Sequence, residues 1–325
     1  MKRSEFLRAA LAVLAAGGPS AAALAAEEYP TRQVRLVSGF APGGGTDILG
    51  RIVAQKFSDI WRSNMLVENR SGASGSVGAA YAARAAADGY TLLLAPNSYT
   101  ITPHVQPNPG FDIIKDFAPV GMIATSPLVL AVNPKLPVTN VAELIAYAKA
   151  HPRELNQGSA GSATAPHLAG ELFNLMAGTT ISHVPYRGSG PAVTAQLANE
   201  VQLSFGPLNS IEGFVRDGQL RVLAALGAQR YVGLPDIPTV AESGLPGYAV
   251  DLWYALLAPA GTPASIVGKL NADLNRILAD EPTRRSLFEK GFVAAPGTPA
   301  ALAEVIRDDF ARWKSVTERI EIKLD

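Results

Sequence analysis

The chain has 325 residues, with 28 Lys and Arg against 28 Asp and Glu, 30 Gly, 24 Pro, four His and no Cys. A length beyond the roughly 250–300 residues at which one core stops growing suits two lobes, and a balanced charge with 17% charged residues gives no basic footprint for nucleic acid or a membrane surface. Without cysteine there is no thiolate nucleophile, iron–sulfur cluster, thiolate zinc site or disulfide.

Residues 1–25 have the form of a cleaved secretory signal. Lys2, Arg3 and Arg8 precede an apolar run at 9–16, and Ala23-Leu24-Ala25 supplies small residues before the cut. The twin-arginine pattern is incomplete, so the general secretory route is expected. Cleavage removes three bases and one acid, leaving 25 against 27 and a net charge of −2. No later stretch approaches the ~20 uninterrupted apolar residues needed to span a bilayer, so an exported, soluble, periplasmic product is expected.

The first hundred residues alternate strand and helix patterns. Strands are predicted at 34–37, 65–68 and 91–95, with helices over 47–61 and 76–87, the second closing at Asp88-Gly89. Strand, helix, strand, helix, strand with short connections predicts right-handed crossovers and a parallel sheet. After residue 125 the series resumes. Val141, Leu144, Ile145 and Ala148 share a helix face, with Asn140 and Glu143 as cap and reciprocal partner. Apolar runs at 181–184, 201–205 and 221–225 predict further strands. Thr262-Pro263 and Thr298-Pro299 each place a capping hydroxyl before a proline at a helix start. Two extended apolar runs, 120–133 and 250–259, are candidates for passing between lobes. If both cross, lobe 1 is discontinuous, 26–125 plus 248–325, and lobe 2 is 126–247. The fold class expected is therefore α/β.

The loop Ser38-Gly39-Phe40-Ala41-Pro42-Gly43-Gly44-Gly45-Thr46-Asp47 follows the first strand and opens the first helix. Its glycines let the backbone approach a ligand, and the N–H groups of a helix start favour an anion. Neither nucleotide fingerprint fits; the plain alternative is a glycine-rich turn with Thr46 or Asp47 as cap. A second loop, Asn156-Gln157-Gly158-Ser159-Ala160-Gly161-Ser162-Ala163-Thr164-Ala165-Pro166-His167, runs the same way in the other half. Facing each other across a cleft, the two could bind one carboxylate with backbone and hydroxyl donors and no buried Lys or Arg.

Four blocks then resemble, in order, the signatures of the Bordetella uptake gene (Bug) family of extracytoplasmic solute receptors of tripartite tricarboxylate transporters. They are residues 40–47; Gly158-Ser159-Ala160-Gly161 with His167-Leu168-Ala169-Gly170-Glu171; His183-Val184-Pro185-Tyr186-Arg187-Gly188-Ser189-Gly190-Pro191-Ala192; and Pro238-Thr239-Val240-Ala241-Glu242-Ser243-Gly244-Leu245-Pro246-Gly247-Tyr248. The resemblance covers residues 29–325. It implies a two-lobed periplasmic binding protein of type II, a flytrap whose hinge is two crossover strands. It further implies backbone contacts to a ligand carboxylate from Ala41 to Gly45, and hydroxyl or amide contacts from Ser159, Ala160, Ser162 and Thr164. Where the family commonly has an acid, this chain has Gly206, which tilts the expectation away from ligands with an ammonium group.

The candidate ligand-binding set is Phe40, Ala41, Pro42, Gly43, Gly44, Gly45, Thr46, Asp47, Ser74, Asn97, Ser159, Ala160, Gly161, Ser162, Thr164, His167 and Asn209. Ser74, Asn97 and Asn209 follow strand ends, where open α/β sheets place ligands, but turn and cap chemistry explains them equally. His167 reads as a ligand contact or a loop brace, His183 as structural, Arg187 as a partner for a second carboxylate or a surface ion pair, and Trp253 as cleft lining or lobe packing. The rival function is a periplasmic serine hydrolase using Ser159 or Ser162 with His167, although no Gly-x-Ser-x-Gly elbow is present. The four His are too scattered for a metal site. A binding protein rather than an enzyme is expected, monomeric, without cofactor or metal, presenting a small carboxylate to membrane permease subunits or to a membrane sensor.

Overall fold

The computed structural model describes residues 29–318, positions 62 and 107 excepted. The expected export signal at 1–25 lies outside the described residues. The strands are β1 Val34–Ser38, β2 Met65–Asn69, β3 Thr91–Pro96, β4 Phe117–Ser126, β5 Leu128–Val132, β6 Asn156–Ser159, β7 Ser182–Pro185, β8 Leu203–Pro207, β9 Arg221–Ala225, β10 Leu252–Pro259 and β11 Val293–Ala294. The helices are α1 Gly45–Ile60, α2 Ser76–Ala83, α3 Ser98–Val105, α4 Val141–Ala150, α5 Ala165–Ala177, α6 Ser189–Leu197, α7 Glu212–Arg216, α8 Ala264–Ala279, α9 Glu281–Phe288 and α10 Pro299–Thr317.

Two sheets form, ordered β2-β1-β3-β10-β4-β11 and β7-β6-β8-β5-β9. In the first, β1 pairs in parallel with β2 and β3, as the strand–helix alternation predicts. In the second, β6 pairs in parallel with β7 and β8. Reversed strands join both sheets, β10 and the two-residue β11 in the first and β5 in the second. The chain leaves the first sheet at Ser126 and enters the second at Leu128, where β5 runs antiparallel between β8 and β9. It returns along β10, antiparallel between β3 and β4. The two crossings touch: Leu226 N–H donates to Leu128 O (2.9 Å) and Val250 N–H to Leu226 O (2.8 Å).

All eight residues of β10 are buried, as are all five of β5, because helices cover both sheet faces. This is why their sequences read as unbroken apolar runs. Three helix starts carry side-chain caps: Asn140 accepts from Glu143 N–H (2.9 Å), Asp280 from Thr283 N–H (3.1 Å) and Thr298 from Ala301 N–H (3.1 Å). Glu143 reaches back to Thr139 N–H (2.7 Å), one residue upstream of the expected partner.

Three local expectations are corrected. Thr262 does not cap: its hydroxyl donates to Pro259 O (2.7 Å), and the helix starts at Ala264. Neither Thr46 nor Asp47 caps α1, whose N-cap is Gly44. Helix α2 ends at Ala83, four residues short of 87 and six before the left-handed Gly89 (φ 80°), because alanine content alone does not fix where a helix stops.

Replacing Asn140 with Ala removes one cap far from the crossings and should cost about 1 kcal/mol of unfolding free energy in urea. Ligand affinity should be unchanged in the same variant.

Candidate functional site

Every βα loop at the carboxyl end of β1, β2, β3, β6, β7 and β8 leads toward the space between the two sheets. Three joined chambers lie there. A mouth of about 440 Å³ is lined from the first half by 71–75 with Gly39 and Phe40, and from the second by 160–162 and 185–187. A narrow neck of about 30 Å³ lies between Phe40, Ala41, Gly44, Gly45 and Thr46 on one side and Ala160, Thr164, Pro166 and Ser189 on the other. An inner chamber of about 20 Å³ runs into the second half, past Ser159, Ser204, Gly206 and Ser210. Ala160 lines all three. The neck has room for about two water-sized spheres, which matches one carboxylate and not a whole metabolite.

The neck is where helices begin. Gly44 is the N-cap of α1, Thr164 of α5, and Ser98 and Ser189 are the first residues of α3 and α6. None of these four helices has a side-chain cap, nor do α2, α7 and α8, whereas α4, α9 and α10 do. Each therefore presents first-turn N–H groups that the helix cannot satisfy, with the positive end of its dipole. No Asp or Glu lines any of the three chambers. The arrangement binds anions.

The two halves meet at small residues. A Cβ at Gly44 would lie 3.6 Å from Ser189 N, and one at Gly190 would lie 3.7 Å from Gly43 O. A Cβ at Gly161 would come within 2.8 Å of Ser74 Oγ, and one at Gly45 would lie 3.0 Å from both amide atoms of Asn209. Backbone strain collects at the same places: Ala73, Ser74 and Ala163 hold φ of 44°, 53° and 62°, and Gly161 holds 135°.

Of the seventeen candidates, eleven line a chamber: Phe40, Ala41, Gly44, Gly45, Thr46, Ser74, Ser159, Ala160, Gly161, Ser162 and Thr164. Six do not, and most of these have other work. The Asp47 carboxylate accepts from Gly43 N–H (3.1 Å), Arg51 Nε (3.0 Å) and Asn69 Nδ2 (3.0 Å), and so pins the glycine loop, Pro42 included, from behind. Burial works to raise its pKa, but the bonds from Arg51, Gly43 and Asn69 outweigh it and hold the group below its usual value. Asn97 donates to Asp251 O (2.9 Å) and ties α3 to the returning crossing. Asn209 lies against Gly45, and its Nδ2 is a buried donor without a partner among the described residues.

His167 and His183 form the underside of the second loop. Ala163 N–H donates to His167 Nδ1 (3.0 Å), and Ser159 Oγ lies 2.6 Å from His183 Nε2. The rings stack with centroids 3.6 Å apart. An N–H aimed at Nδ1 requires a lone pair there, which leaves Nε2 to carry the proton toward Glu171, 3.6 Å away. His167 is thus a brace whose Nδ1 is taken up by the loop backbone, and the ring that meets Ser159 is His183. Burial, then the neighbouring His167, pushes the His183 pKa down to about 3.

Sequence reading missed Pro96, Ser98, Pro207, Leu252 and Tyr254 in the neck. The Ser-rich starts of α3 and α6 were a usable signal; Tyr254 was not, since strand alternation decides it. Trp253 turns the other way and packs with Tyr99, Phe117 and Leu302, while Tyr254 faces the cleft. Burial raises the Tyr254 pKa despite a hydrogen bond with Thr46, so the hydroxyl stays protonated.

The model of the tripartite tricarboxylate transporter family receptor matches residues 49–322. Protein BugT of Bordetella pertussis is 34% identical over 320 residues, 98% of each chain. Rpa4515 of R. palustris, solved with adipate, is 37% identical and superposes with a TM-score of 0.88 over 91% of this chain and 100% of that one. MatC from Rhodopseudomonas palustris, solved with malate, is 30% identical with a TM-score of 0.85 over 89% and 99%. The architecture is the two-lobed one of such periplasmic binding proteins.

Because His183 is depressed on folding, its neutral form contributes stability above the unfolded value near 6.5, lost as pH falls toward about 3. Unfolding free energy should decline over that window, and His183→Gln should remove this component. An NMR titration should show no protonation of His183 between pH 5 and 8.

Proposed function

The chain belongs to the tripartite tricarboxylate transporter receptor family, and from that premise we propose that it is a periplasmic receptor that grips a small carboxylate between two lobes for membrane subunits of a tripartite transporter. The observation that carries this reading is the convergence of four uncapped helix starts on one narrow, acid-free neck. That Rpa4515 was solved with adipate and MatC with malate supports a carboxylate as the ligand class.

In this reading residues 1–25 are an export signal, 26–125 with 248–325 form one lobe and 126–247 the other. The ligand carboxylate sits in the neck, accepting N–H groups from Ala41, Gly44 and Gly45 on one side and Ala160 on the other, with Thr46, Thr164 and Ser189 within the same wall. Hydrogen bonds to a charged group contribute about 1.5–3 kcal/mol each. Several of them offset an association cost of about 4 kcal/mol or more and reach the roughly 8 kcal/mol of micromolar binding. Bending at the two hydrogen-bonded crossings opens and shuts the cleft, and the shut shape, as a monomer, is what the permease recognises.

One observation favours a hydrolase, the 2.6 Å approach of Ser159 Oγ to His183. Against it, Ser159 Oγ also accepts from Gly161 N–H (3.1 Å), the residue is buried, and no carboxylate among the described residues holds the other nitrogen of His183. The pair shapes the loop, and the proposed activity is binding alone.

Gly44→Val tests the neck. A Cβ fits there, so the fold should survive, but the two methyl groups enter the space before Ser189. A thermal-shift screen of carboxylic acids should find ligands of the wild type, and calorimetry should show at least a hundredfold weaker binding to the variant, about 2.7 kcal/mol. Equal affinities would remove the neck from the mechanism. A fluorophosphonate probe should label no serine.

A further inference from the structure

A second groove, of about 410 Å³, lies in the first half at the end of the sheet away from the cleft. Its wall uses the amino ends of strands whose carboxyl ends lead to the neck: Arg32 precedes β1, Arg35 is its second residue, and Thr91 opens β3. Val77, Tyr81 and Arg84 add the outer side of α2 and its end. Three arginines thus line the groove with one acid, Asp88, and that acid is already taken. It accepts from Arg32 Nη2 (2.9 Å) and from Tyr90 N–H (3.0 Å), while the Arg32 guanidinium lies 3.9 Å over the Tyr90 ring. Beyond Tyr81, Arg70 stacks on that ring at 3.5 Å and holds Glu68 at 2.6 Å. Arg35 has only a neutral partner, donating to the Thr91 hydroxyl (3.2 Å), and Arg84 has no hydrogen bond or ion pair among the described residues. Two positive charges therefore stay unmatched on a chain that is balanced overall at 28 against 28. Apolar surface adjoins them. Val77, 49% exposed, lines the same groove, and Leu66, 51% exposed, is the register partner of Arg35 on β2, the outermost strand.

On the reading that this chain hands its ligand to membrane subunits, we propose that the groove docks an acidic segment of that partner, with carboxylates on Arg35 and Arg84 and an apolar side chain against Val77 and Leu66. Arginine beside buried apolar area is the usual make-up of a protein–protein contact, and the planar fork of each guanidinium takes a carboxylate through two parallel hydrogen bonds. Shape decides against a bilayer, because a flat headgroup surface does not enter a groove. A free small anion would leave Val77 and Leu66 in water and its ion pairs exposed, where they contribute little. A chain segment covers all four side chains and strengthens the pairs by excluding water. Its place has a consequence: a partner held at the far end of the sheet leaves the neck free to open and release the ligand.

The test has two arms. In fluorescence anisotropy, a labelled peptide of alternating Glu and Val should bind wild type at least tenfold more tightly than its Gln counterpart, less so as salt is added. Arg35→Gln/Arg84→Gln should show no such preference. In cells, Arg35→Glu/Arg84→Glu should lower uptake of the acid found by the thermal-shift screen at least fivefold, while calorimetric affinity for that acid and the unfolding temperature keep their wild-type values. An acidic peptide bound no better than its Gln counterpart, a double Gln variant that keeps the preference, or unimpaired uptake would each overturn the inference. Inorganic phosphate or phosphatidylglycerol vesicles bound as tightly as the peptide, through the same arginines, would overturn it too, in favour of a small-anion or a membrane site. If no carboxylic acid binds the cleft, the receptor reading fails by itself, and the peptide arm still decides whether the groove takes acidic chains.

Discussion

An α-helix cannot satisfy its own first turn of N–H groups, and this molecule leaves four such turns pointing at one place. A globular protein ordinarily closes helix starts with Ser, Thr, Asp or Asn, and here Asn140, Asp280 and Thr298 do so. The helices that start at the neck are instead preceded by Gly44, Asn97, Thr164 and Gly188: the glycines have no side chain to offer, and neither Asn97 nor Thr164 turns its own back on the helix. The donors remain open to an outside acceptor. Fixed dipoles suit a reversible receptor: they attract an anion without a buried cation whose own desolvation would have to be offset.

Holding four helix starts together requires loops without bulk. The two halves approach through Gly44, Gly45, Gly161, Gly188 and Gly190, where added side chains would meet the opposite backbone or side chains. Where glycine is absent the backbone is forced, as at Ala73, Ser74 and Ala163. Polar groups behind the loops hold that geometry. Asp47 pins the first loop by accepting Gly43 N–H, and His167 pins the second by accepting Ala163 N–H. Both are donors' partners on the loop's back, which keeps the front of each loop free.

The Ser159–His183 contact shows how easily a loop brace is taken for chemistry. Two side chains at 2.6 Å satisfy the first test for a nucleophile and its base. What decides is the surroundings: His183 is kept neutral by burial and by its stacked neighbour, and Ser159 is folded into its own loop through Gly161. The same contact thus rigidifies the serine loop, a role that a binding site needs as much as an enzyme does.

Much of this was legible in the sequence. Periodicity fixed the parallel β1–β3 unit, the capped α4 and α10, and the apolar crossings, because those features follow from local spacing and from burial on both faces. The two glycine- and serine-rich loops announced themselves by composition, and eleven of the residues taken from them and their neighbours line the cleft. What composition could not show is which way a side chain turns. Asp47 and His167 belong to binding loops in the sequence yet face backward, and Trp253 and Tyr254 are adjacent yet point to opposite sides of β10. Only the tertiary structure decided that Ser98, Ser189 and Tyr254, far apart along the chain, share one wall. The reason is physical: a helix start or strand residue carries its donor locally, but the direction of that donor is set by the sheet against which its element is packed.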